Sequence, residues 1–470
     1  MQTFALTIGG QAVRTERTFE VLNPADESVV AACPQGDVAL LDRAVAAAAA
    51  AFPAWAALPD ATRVARLNAV ADLIEQHQGE LAKLVTLEQG KAQSGPGANL
   101  EAGGCLAWTR VTAGLTLPEE TIQDDATGRI VIRRKPVGVV GSITPWNWPL
   151  MIATWHIMPA IRVGCTVVIK PSPYTPLSTL RLVELMNQVL PPGVINVVTG
   201  DAEVGNRMAT HPDIDKLVFT GSIRTGKKVM GNAADTLKRL TLELGGNDAG
   251  VILPGTDIEP LLEKLFWGCF INGGQTCAAL KRLYVHESQY EEVVSRFAQF
   301  MRGIAVGDGM DPKNLIGPLT NSMQRDIVAS YVDEAVQKGA RVVVGGVRPQ
   351  GKGYFYPLTL VADVSDDMLL VKEEQFGPAM PIIKYRDINE ALARANALDV
   401  GLGGSVWGND VQQASELAAR LECGTAWVNQ HGGLHPLAPF GGVKQSGIGV
   451  EFNVDGLKEY TTIQVLNVAR

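Results

Sequence analysis

The stretch VGVVGSITPWNWPLMIATWHIMPAIRVGCTVVIK at residues 137–170 decides the fold class of this chain. It begins with the apolar run 137–143, continues with helical spacing from Pro149 to Ile161, and ends in a second apolar run at 165–170. Short apolar runs rich in β-branched residues are typical of buried strands, and a proline favours a helix start. A buried strand, a helix and another buried strand in this order indicate parallel strands joined by a crossover helix.

Strand-like and helical segments continue to alternate after this unit. Apolar runs at 194–199, 216–220 and 240–246 alternate with helical segments at 177–190 and 223–234. A second series of helical and strand-like segments then extends to residue 428. Such alternation predicts doubly wound sheets, and a chain of 470 residues is too long for one ordinary core. We therefore expect an α/β fold with two doubly wound domains.

Two segments outside these series predict a small β arm. Residues 118–136 are polar and then alternate in IVIRRK, and residues 457–470 also alternate. Alternating strands outside a buried sheet can pair with each other and add to the sheet edge of another subunit. We expect these two segments to form such an arm.

The composition limits the class of protein. Apolar residues make up 46% and charged residues 19% of the chain, which is typical of a folded globular protein. The net charge of −8 argues against nucleic acid or an anionic membrane as a partner, and no membrane-spanning run or secretory signal is expected. The six cysteines are scattered without disulfide or metal-site spacing, so we expect reduced thiols, a cytoplasmic location and no bound metal.

One cysteine lies in a setting that suits a nucleophile. Cys277 ends the segment GQTC (274–277), between a helical and a strand-like stretch and after Asn272 and Gly273. Backbone N–H groups at such a position lower a thiol pKa and can bind an oxyanion. A lone cysteine is more often a small buried core residue, so its neighbours in the fold decide between the two interpretations.

Two further residues offer the groups that a cysteine nucleophile needs. Glu243 lies in the apolar strand of LELGGN (242–247), and apolar surroundings raise a carboxyl pKa towards that of a general base. Asn147, in PWNWP (145–149), can donate its amide to a developing oxyanion. Taken singly, the first is also compatible with a solvated strand-end carboxylate and the second with a helix cap.

Glycines and a lysine at strand ends indicate a phosphate or dinucleotide site. FTGS (219–222) leads from a strand into a helix, and Gly226 follows Gly221 within that helix. A helix N-terminus binds phosphate, although this spacing is not the common GxGxxG fingerprint. Lys170, at another strand end, is a candidate for a ribose or phosphate contact, with a plain surface lysine as the alternative.

Seven segments in a fixed order carry a family resemblance. In that order and spacing, the chain resembles the aldehyde dehydrogenase superfamily over nearly its whole length. The segments are PWNWP (145–149), KPSPYTP (170–176), FTGSIRTG (219–226), LELGGN (242–247), GQTC (274–277), EEQFGP (373–378) and PFGGVKQSGIG (439–449). The resemblance implies an NAD- or NADP-dependent oxidoreductase that converts an aldehyde to the carboxylic acid.

The resemblance also implies catalytic roles for individual residues. Cys277 matches the family nucleophile, which forms a thiohemiacetal and then a thioester, and Asn147 with the Cys277 N–H matches the oxyanion hole. Glu243 matches the base that activates water to hydrolyse the thioester. Glu451 matches a position proposed for proton relay.

In family members, a variant Rossmann domain holds the dinucleotide. Glu374 matches the carboxylate that binds the nicotinamide ribose, and Lys170 matches the contact to the adenosine ribose. All positions that match cofactor contacts are Ile143, Thr144, Pro145, Trp146, Lys170, Ser172, Gly221, Ser222, Gly226, Gly245, Glu374 and Phe376. The implied units are a dinucleotide-binding domain of residues 1–117 and 137–245, a catalytic domain of residues 246–445, and an oligomerisation arm of residues 118–136 and 446–470.

One departure from the family pattern concerns the choice of dinucleotide. Members with strict NAD use often carry Glu three residues after the lysine, where this chain has Pro173. A carboxylate there bonds the ribose 2′-hydroxyl and repels a 2′-phosphate, so its absence removes that discrimination. Arg224 is a candidate partner for a 2′-phosphate, and both NAD and NADP stay open.

The positions that match the family's substrate tunnel are mostly apolar. They are Trp148, Met151, Trp155, Ile271, Thr276, Leu434 and Phe440. No arginine is among them to bind a dicarboxylic semialdehyde, so we expect an apolar or aromatic aldehyde of medium size. His435 and Arg110 would alter that expectation if they faced the tunnel.

Three alternatives are compatible with parts of the sequence. CoA-acylating relatives generally lack the glutamate base, so Glu243 argues against that activity. A non-redox cysteine esterase needs no dinucleotide turn, and a non-catalytic scaffold protein usually loses a catalytic residue that this chain retains. Because the family commonly assembles through the arm, we expect a homodimer or homotetramer.

Overall fold

The computed structural model describes residues 3–470. Several helices begin at a residue whose side chain accepts a hydrogen bond from the first turn, as Asp37, Asp201, Ser222 and Asn321 do. The α-helices are α1 (Val38–Ala56), α2 (Asp60–Gln76), α3 (Gln78–Gln89), α4 (Ala98–Gly114), α5 (Pro149–Val163), α6 (Leu177–Met186), α7 (Ala202–Thr210), α8 (Ile223–Ala233), α9 (Leu262–Phe270), α10 (Tyr290–Arg302), α11 (Ser322–Gln337), α12 (Leu369–Lys372), α13 (Ile388–Asn396), α14 (Val411–Ala418) and α15 (Asn453–Glu459).

The strands are short, and those at the centres of the two large sheets are buried throughout, as the apolar runs predict. In chain order they are β1 (Leu6–Ile8), β2 (Gln11–Val13), β3 (Thr18–Leu22), β4 (Val29–Pro34), β5 (Glu120–Asp125), β6 (Gly128–Pro136), β7 (Val139–Ile143), β8 (Thr166–Lys170), β9 (Ile195–Val197), β10 (Lys216–Thr220), β11 (Arg239–Glu243), β12 (Asp248–Ile252), β13 (Leu280–His286), β14 (Arg341–Val344), β15 (Thr359–Ala362), β16 (Ala379–Tyr385), β17 (Val400–Gly401), β18 (Gly403–Trp407), β19 (Thr425–Val428), β20 (Val443–Lys444), β21 (Gly447–Ile448) and β22 (Thr461–Ala469).

The first large sheet contains the strands predicted between residues 137 and 246. Its order is β2-β1-β9-β8-β7-β10-β11-β21, and the five strands from β9 to β11 run parallel. The chain passes from β7 through β8 to β9 on one side and then returns to β10 and β11 on the other. Doubly wound sheets bind ligands at such a reversal, which here lies between β7 and β10.

The strand ends that carry candidate residues are aligned in this sheet. Ile143 lies opposite both Lys170 and Phe219, and Thr220 lies opposite Glu243. Because parallel strands end at the same edge of a sheet, the loops that follow these residues leave from one edge. The sheet therefore brings together loops that are far apart in sequence.

The second large sheet has the order β14-β15-β16-β13-β12-β18-β19. Only β14 is antiparallel to its neighbour, and the other pairs are parallel. Two mostly parallel sheets with intervening helices are the predicted α/β architecture, which is confirmed.

The two alternating segments outside these sheets pair with each other. β22 runs antiparallel to β6 from Thr461 opposite Pro136 to Ala469 opposite Gly128, and β5 lies on the other side of β6. This confirms the predicted pairing. The boundaries of the three predicted units stay a prediction; Gly447 and Ile448, for instance, pair with β11 of the first sheet.

One described helix has the length and composition of a membrane span, contrary to the expectation from the sequence. This helix is α1, of 19 residues. It lies along the first sheet, where Thr166 donates a hydrogen bond to the Ala48 carbonyl. The Trp55 indole donates to the Ile161 carbonyl, and Asp42 pairs with Arg207. These contacts are those of a helix that covers a sheet.

Other differences concern segments without a clear apolar period. The helical segment predicted over residues 60–90 is two helices, α2 and α3, which meet at His77. Helix α4, which contains two adjacent glycines, was not expected, since glycine weakens a helix. It packs against α2 and α5, so tertiary contacts stabilise it.

Candidate active site

A cavity of about 740 Å³ opens beside Cys277. Helices α4 and α5 form one wall, and the loops around residues 271–278 and 431–434 form the other. Six of the seven predicted substrate residues line it: Trp148, Met151, Trp155, Ile271, Thr276 and Leu434. The seventh, Phe440, is buried outside the lining, in an apolar cluster that also contains Trp155 and Cys277. The volume suits a ligand of small-molecule size.

The loop before Cys277 has a backbone that few residues adopt. Asn272, Gly273 and Gly274 all have positive φ, at 53°, 62° and 76°. A Cβ at Gly274 would lie 2.3 Å from the carbonyl oxygen of Gly377, so that position requires glycine. This tight turn ends the helical segment after α9 and presents Cys277 to the cavity just before β13.

The surroundings of the Cys277 thiol favour its protonated form. Burial has the largest effect and, together with the charges of Glu374, Glu243 and Asp248, raises the pKa of the thiol to about 12. The Lys281 ammonium acts in the opposite direction and lowers it. A reaction through sulfur therefore needs a group that accepts the thiol proton.

Two hydrogen bonds join the Asn147 turn to the Cys277 loop. The side-chain amide of Asn147 donates to the carbonyl of Gln275 at 2.9 Å, and the Trp148 indole donates to the Thr276 hydroxyl at 2.9 Å. Successive residues of one loop thus bind successive residues of the other. One N–H of the Asn147 amide stays available for a second acceptor, because a primary amide has two.

A buried ion pair that the sequence did not reveal supports the Asn147 turn. Lys91 donates to the Asn147 carbonyl at 2.8 Å and lies 2.5 Å from a carboxylate oxygen of Glu101. Glu101 in turn accepts the backbone N–H groups of Leu150 and Met151 in the first turn of α5. The Lys91 ammonium also lies 3.5 Å from the centre of the Trp148 ring. The pair therefore fixes both the turn and the start of the helix that lines the cavity.

Glu243 ends β11 as a buried carboxyl group. Burial raises its pKa well above the ordinary value, and the neighbouring charges of Glu451 and Glu459 add to the effect. Neither of its oxygens has a hydrogen-bond partner. A buried carboxyl without partners at the end of a strand is suited to exchange protons with water.

Glu451 is a second buried carboxyl in the same region. Burial raises its pKa to about 8, against the lowering effect of Lys216. Its nearest cation-forming side chain on α5 is His156, at 3.8 Å, but burial lowers the pKa of His156 to about 3 and leaves that ring neutral. The charge of Glu451 thus adds to the tendency of Glu243 to hold a proton.

The predicted cofactor residues lie along one edge of the first sheet. β7 ends at Ile143 and is followed by Thr144, Pro145 and Trp146. β8 ends at Lys170 and is followed by Ser172, and the turn of Gly221 and Ser222 follows β10. Gly245 follows β11. From the second sheet come Glu374 and Phe376, and the Phe376 ring packs edge-on against Trp146, with 5.3 Å between ring centres. The predicted cofactor positions of the first sheet therefore follow strands that end at one edge, and Phe376 contacts one of them, while their role in cofactor binding stays a prediction.

Two local features of this cleft fit a dinucleotide. The N-terminus of α8 follows Gly221, and a helix N-terminus with a glycine before it suits a pyrophosphate. A Cβ at Gly245 would lie 2.4 Å from a Glu374 carboxylate oxygen, so the glycine leaves the space in which that carboxylate lies. Gly226 is similarly closed, since a Cβ there would lie 2.6 Å from the Leu244 side chain. The residues present therefore fit the group that the resemblance implies.

The residues that bear on dinucleotide choice lie at the end of β8, just after it and in the first turn of α8. Lys170 is buried, which lowers the pKa of its ammonium to about 8. Pro173 and Arg224 are both exposed, the one after β8 and the other in the first turn of α8.

Several residues of the cavity carried no signal in the sequence. They are Asn99, Leu100, Gly103, Gly104, Ala107 and Trp108 of α4, Trp267 of α9, and residues 431–433. A Cβ at Gly104 would lie 2.3 Å from the end of the Met151 side chain, so the small residues of α4 make room for α5. His435 is exposed and Arg110 pairs with Asp72, and neither lines the cavity.

Comparison with known proteins gives consistent matches over the whole chain. The model of the aldehyde dehydrogenase family matches residues 12–466. Phenylacetaldehyde dehydrogenase from Pseudomonas fluorescens is 38% identical, over 99% of this chain and 95% of its own. The NAD+ complex of an aldehyde dehydrogenase from Bacillus cereus superposes with a TM-score of 0.97 at 37% identity, covering 100% of this chain and 97% of that one. Betaine aldehyde dehydrogenase from Staphylococcus aureus in complex with NAD+ gives 0.96 at 34% identity, covering 99% and 95%.

Proposed function

Since this chain belongs to the aldehyde dehydrogenase family and is an NAD(P)-dependent enzyme, we propose that it oxidises apolar or aromatic aldehydes through a thioester on Cys277. The observation that carries the proposal is the cavity, which joins the thiol to walls of tryptophan, methionine, isoleucine and leucine side chains. Among the described residues that line it, none is Arg, Lys, Asp or Glu. An apolar wall of this size favours substrates without a second charge.

The first step forms a bond between sulfur and the aldehyde carbon. The Cys277 thiol gives its proton to a nearby base, for which Glu243 is the candidate, and the thiolate attacks the carbonyl carbon. Glu243 must release this proton, for which Glu451 is the candidate acceptor, before it can act as base again in the hydrolysis step. The C=O electron pair moves to oxygen. The free N–H of Asn147 and the backbone N–H of Cys277 then stabilise the resulting oxyanion.

The second step removes a hydride from that carbon. A bound nicotinamide dinucleotide supplies the hydride acceptor. As the C–H bond breaks, the oxyanion electrons re-form C=O, and the product is a thioester on Cys277. The contribution of the chain is to hold Cys277 and the cleft residues Glu374 and Phe376 in fixed relation, which the two sheets provide.

The third step hydrolyses the thioester. Glu243 accepts a proton from water, the hydroxide adds to the thioester carbon, and the C–S bond breaks to return the Cys277 thiolate. We propose that Glu451 relays that proton onwards. A route towards the surface continues from the buried Lys216, which lies 2.7 Å from the Thr241 hydroxyl, itself 3.1 Å from Glu459.

Initial-rate measurements with an aldehyde panel test the substrate class. Phenylacetaldehyde, benzaldehyde, hexanal and succinate semialdehyde are compared at matched concentrations, with reduced cofactor followed by absorbance. We expect kcat/KM for the first three to exceed that for succinate semialdehyde, since the cavity has no cation to pair with a distal carboxylate. A clear preference for the semialdehyde contradicts the proposed class.

Variants of the catalytic residues test the thioester route. Cys277→Ser is expected to abolish oxidation. Glu243→Gln is expected to retain a burst of reduced cofactor of about one equivalent per site and to lose steady-state turnover, because acylation precedes hydrolysis. Full activity in Cys277→Ser refutes the nucleophile. If exogenous CoA restores fast turnover to Glu243→Gln and accelerates the parent enzyme equally, the acceptor is CoA and not water.

The choice between dinucleotides is a separate proposal. Pro173 leaves the β8 end without a carboxylate, and Arg224 lies exposed at the start of α8. We propose that the enzyme accepts NADP as well as NAD. Binding of each dinucleotide, measured by quenching of tryptophan fluorescence, tests this, and Arg224→Ala should weaken NADP binding alone. A site that binds NAD and excludes NADP refutes it.

Assembly and location also stay proposals. β22 is one of the two edge strands of the arm and carries exposed apolar side chains, with Ile463 61% and Val465 58% exposed. An edge strand with such a face is suited to pair with a second copy, so we propose a homodimer or homotetramer. The scattered free cysteines favour the reducing cytoplasm. Sedimentation of the chain and of a variant shortened before residue 461 tests the assembly.

A further inference from the structure

A lysine without a role in the steps above lies between the two halves of the site. Lys281 belongs to β13, four residues after the nucleophile, and its side chain is 2% exposed. Its ammonium donates to the carbonyl of Cys277 at 2.5 Å and to the carbonyl of Thr276 at 2.8 Å. On its other side it lies 3.0 Å from a carboxylate oxygen of Glu374.

These contacts compensate the buried charge of the ammonium group. A buried ammonium is costly unless it is paired, and Lys281 has three partners: two carbonyl oxygens that accept hydrogen bonds and one carboxylate with which it forms an ion pair. Two of them belong to the nucleophile loop and the third to the cofactor cleft. The ring of Phe376 lies near the same ammonium, with its centre 5.8 Å away. One charged group is therefore shared by the two loops that hold the reacting partners.

We propose that Lys281 is a positioning residue that fixes the distance between the Cys277 loop and the Glu374 carboxylate, and so between the substrate carbon and the bound dinucleotide. The proposal rests on the proposed thioester route through Cys277. Hydride transfer is sensitive to such a distance, because donor and acceptor must be held in near-contact geometry.

Glu374 depends on this partner for its charge. Burial raises the pKa of Glu374, and the negative charge of Asp248 also raises it. The Lys281 ammonium acts in the opposite direction and lowers it. Without the ammonium, the carboxyl keeps its proton to higher pH and loses an acceptor for ribose hydroxyls. Its place is also confined on the other side, since Gly245 leaves just enough room for one carboxylate oxygen. Removal of Lys281 is therefore expected to weaken dinucleotide binding.

The same ammonium acts on the nucleophile. The charged groups whose fields reach the Cys277 thiol are Lys281, Glu374, Glu243 and Asp248, and Lys281 is the sole cation among them. Removing it leaves three carboxyl groups that disfavour the thiolate. The pH at which the thiol becomes reactive is therefore expected to rise.

Two substitutions separate position from charge. Lys281→Met has a similar length but no charge, and Lys281→Arg keeps the charge on a longer, planar group. Lys338→Met is the matched control, because Lys338 is an exposed, ion-paired lysine on a distant surface. Three quantities are measured in each variant: the Kd of the dinucleotide, the primary isotope effect with 1-deuterated aldehyde, and the pH dependence of thiol alkylation by iodoacetamide.

The expected results differ between the variants. Lys281→Met should raise the dinucleotide Kd by about tenfold or more, because a buried pair loses one partner. It should also move the alkylation profile to higher pH and increase the isotope effect on kcat as hydride transfer becomes slower. Lys281→Arg should keep the alkylation profile and still show the increased isotope effect. Lys338→Met should match the parent in all three measurements.

The proposal is overturned if Lys281→Met binds the dinucleotide and transfers hydride as the parent does. It is also overturned if Lys281→Arg restores both binding and the isotope effect fully, since charge alone would then suffice. Should Lys281→Met fail to fold, the arginine variant still decides through its isotope effect. Failure of the thioester route would show differently, as activity retained by Cys277→Ser.

Discussion

Removal of the Lys91 ammonium tests how far a buried ion pair controls the oxyanion site. Lys91→Met keeps a similar length and apolar stem, but it deletes the contact to Glu101, the hydrogen bond to the Asn147 carbonyl and the ammonium over the Trp148 ring. Breaking one partner of a buried ion pair costs about 3–5 kcal/mol. Glu101 keeps its two backbone N–H donors from α5, which reduces the penalty, so we expect a loss near the lower limit of that range.

The same change is expected to slow catalysis. Without Lys91 the Asn147 carbonyl keeps one hydrogen bond, from the Asn272 side chain, so the turn is less firmly held and can shift. A displacement of about 1 Å at a reacting centre costs on the order of a hundredfold in rate. Urea unfolding measures the first effect, and the pre-steady-state burst of reduced cofactor with phenylacetaldehyde measures the second. The double variant Lys91→Met, Glu101→Gln separates charge from packing, because it removes the uncompensated carboxylate and should recover part of the stability but not the burst rate. A single variant with parental stability and burst rate refutes this reasoning.

Three further predictions concern other parts of the site. Because the pKa of Glu451 is raised, the stability that its protonated form contributes is present below about pH 4.5 and is lost as pH rises through about 8. In urea titrations at a series of pH values, Glu451→Gln should therefore flatten the fall of the unfolding free energy over that interval. An unchanged dependence of the unfolding free energy on pH contradicts the assignment. Gly104→Leu places a side chain in the cavity against Met151 and should lower kcat/KM for phenylacetaldehyde more than for acetaldehyde, whereas equal losses would show that α4 does not select by size. Gly274→Ala forces a Cβ against the Gly377 carbonyl at positive φ and should reduce the fraction of Cys277 that reacts with iodoacetamide under native conditions; normal labelling would show that the loop relaxes without cost.

The order of strands and helices was predictable because buried parallel strands have a strong apolar signature. The runs at 137–143, 165–170 and 216–220 form β7, β8 and β10 within two residues of the expected bounds. The arm was predictable for a different reason, since alternation at 457–470 is typical of a strand with one exposed face. By contrast, β15 and β16 come after a stretch rich in glycine and proline. Because such a stretch has no strand pattern, the sequence did not predict where the pairing of these two strands begins.

The catalytic candidates were accessible from sequence because they lie in distinctive turns, whereas the residues that support them were not. Lys91, Glu101 and Lys281 are charged residues that become buried only through contacts with distant segments, such as Lys91 with Asn147. A charged residue in a sequence is by default expected at the surface. The contact between Lys91 and Asn147 joins residues 56 positions apart and depends on the tertiary fold, so no local sequence pattern predicts it.

Helix α4 shows the same limit for the substrate wall. Its two glycines weaken any prediction of a helix, yet they are the residues that let α5 approach and leave the cavity open. Local propensity and tertiary packing disagree at this place, and packing decides.

The antiparallel contact between β11 and β21 has a consequence for the order in which the protein can fold during synthesis. Glu243 lies opposite Gly447, and the Leu244 N–H donates to the Ser446 carbonyl. The strand that carries the base therefore keeps an open edge until more than two hundred later residues have left the ribosome. A nascent chain that stops before residue 446 contains the thiol and the whole parallel sheet but has no completed edge beside its base. Such a fragment is expected to bind chaperones through that edge. The surroundings of Glu243 are therefore completed only when the last part of the chain has been synthesised.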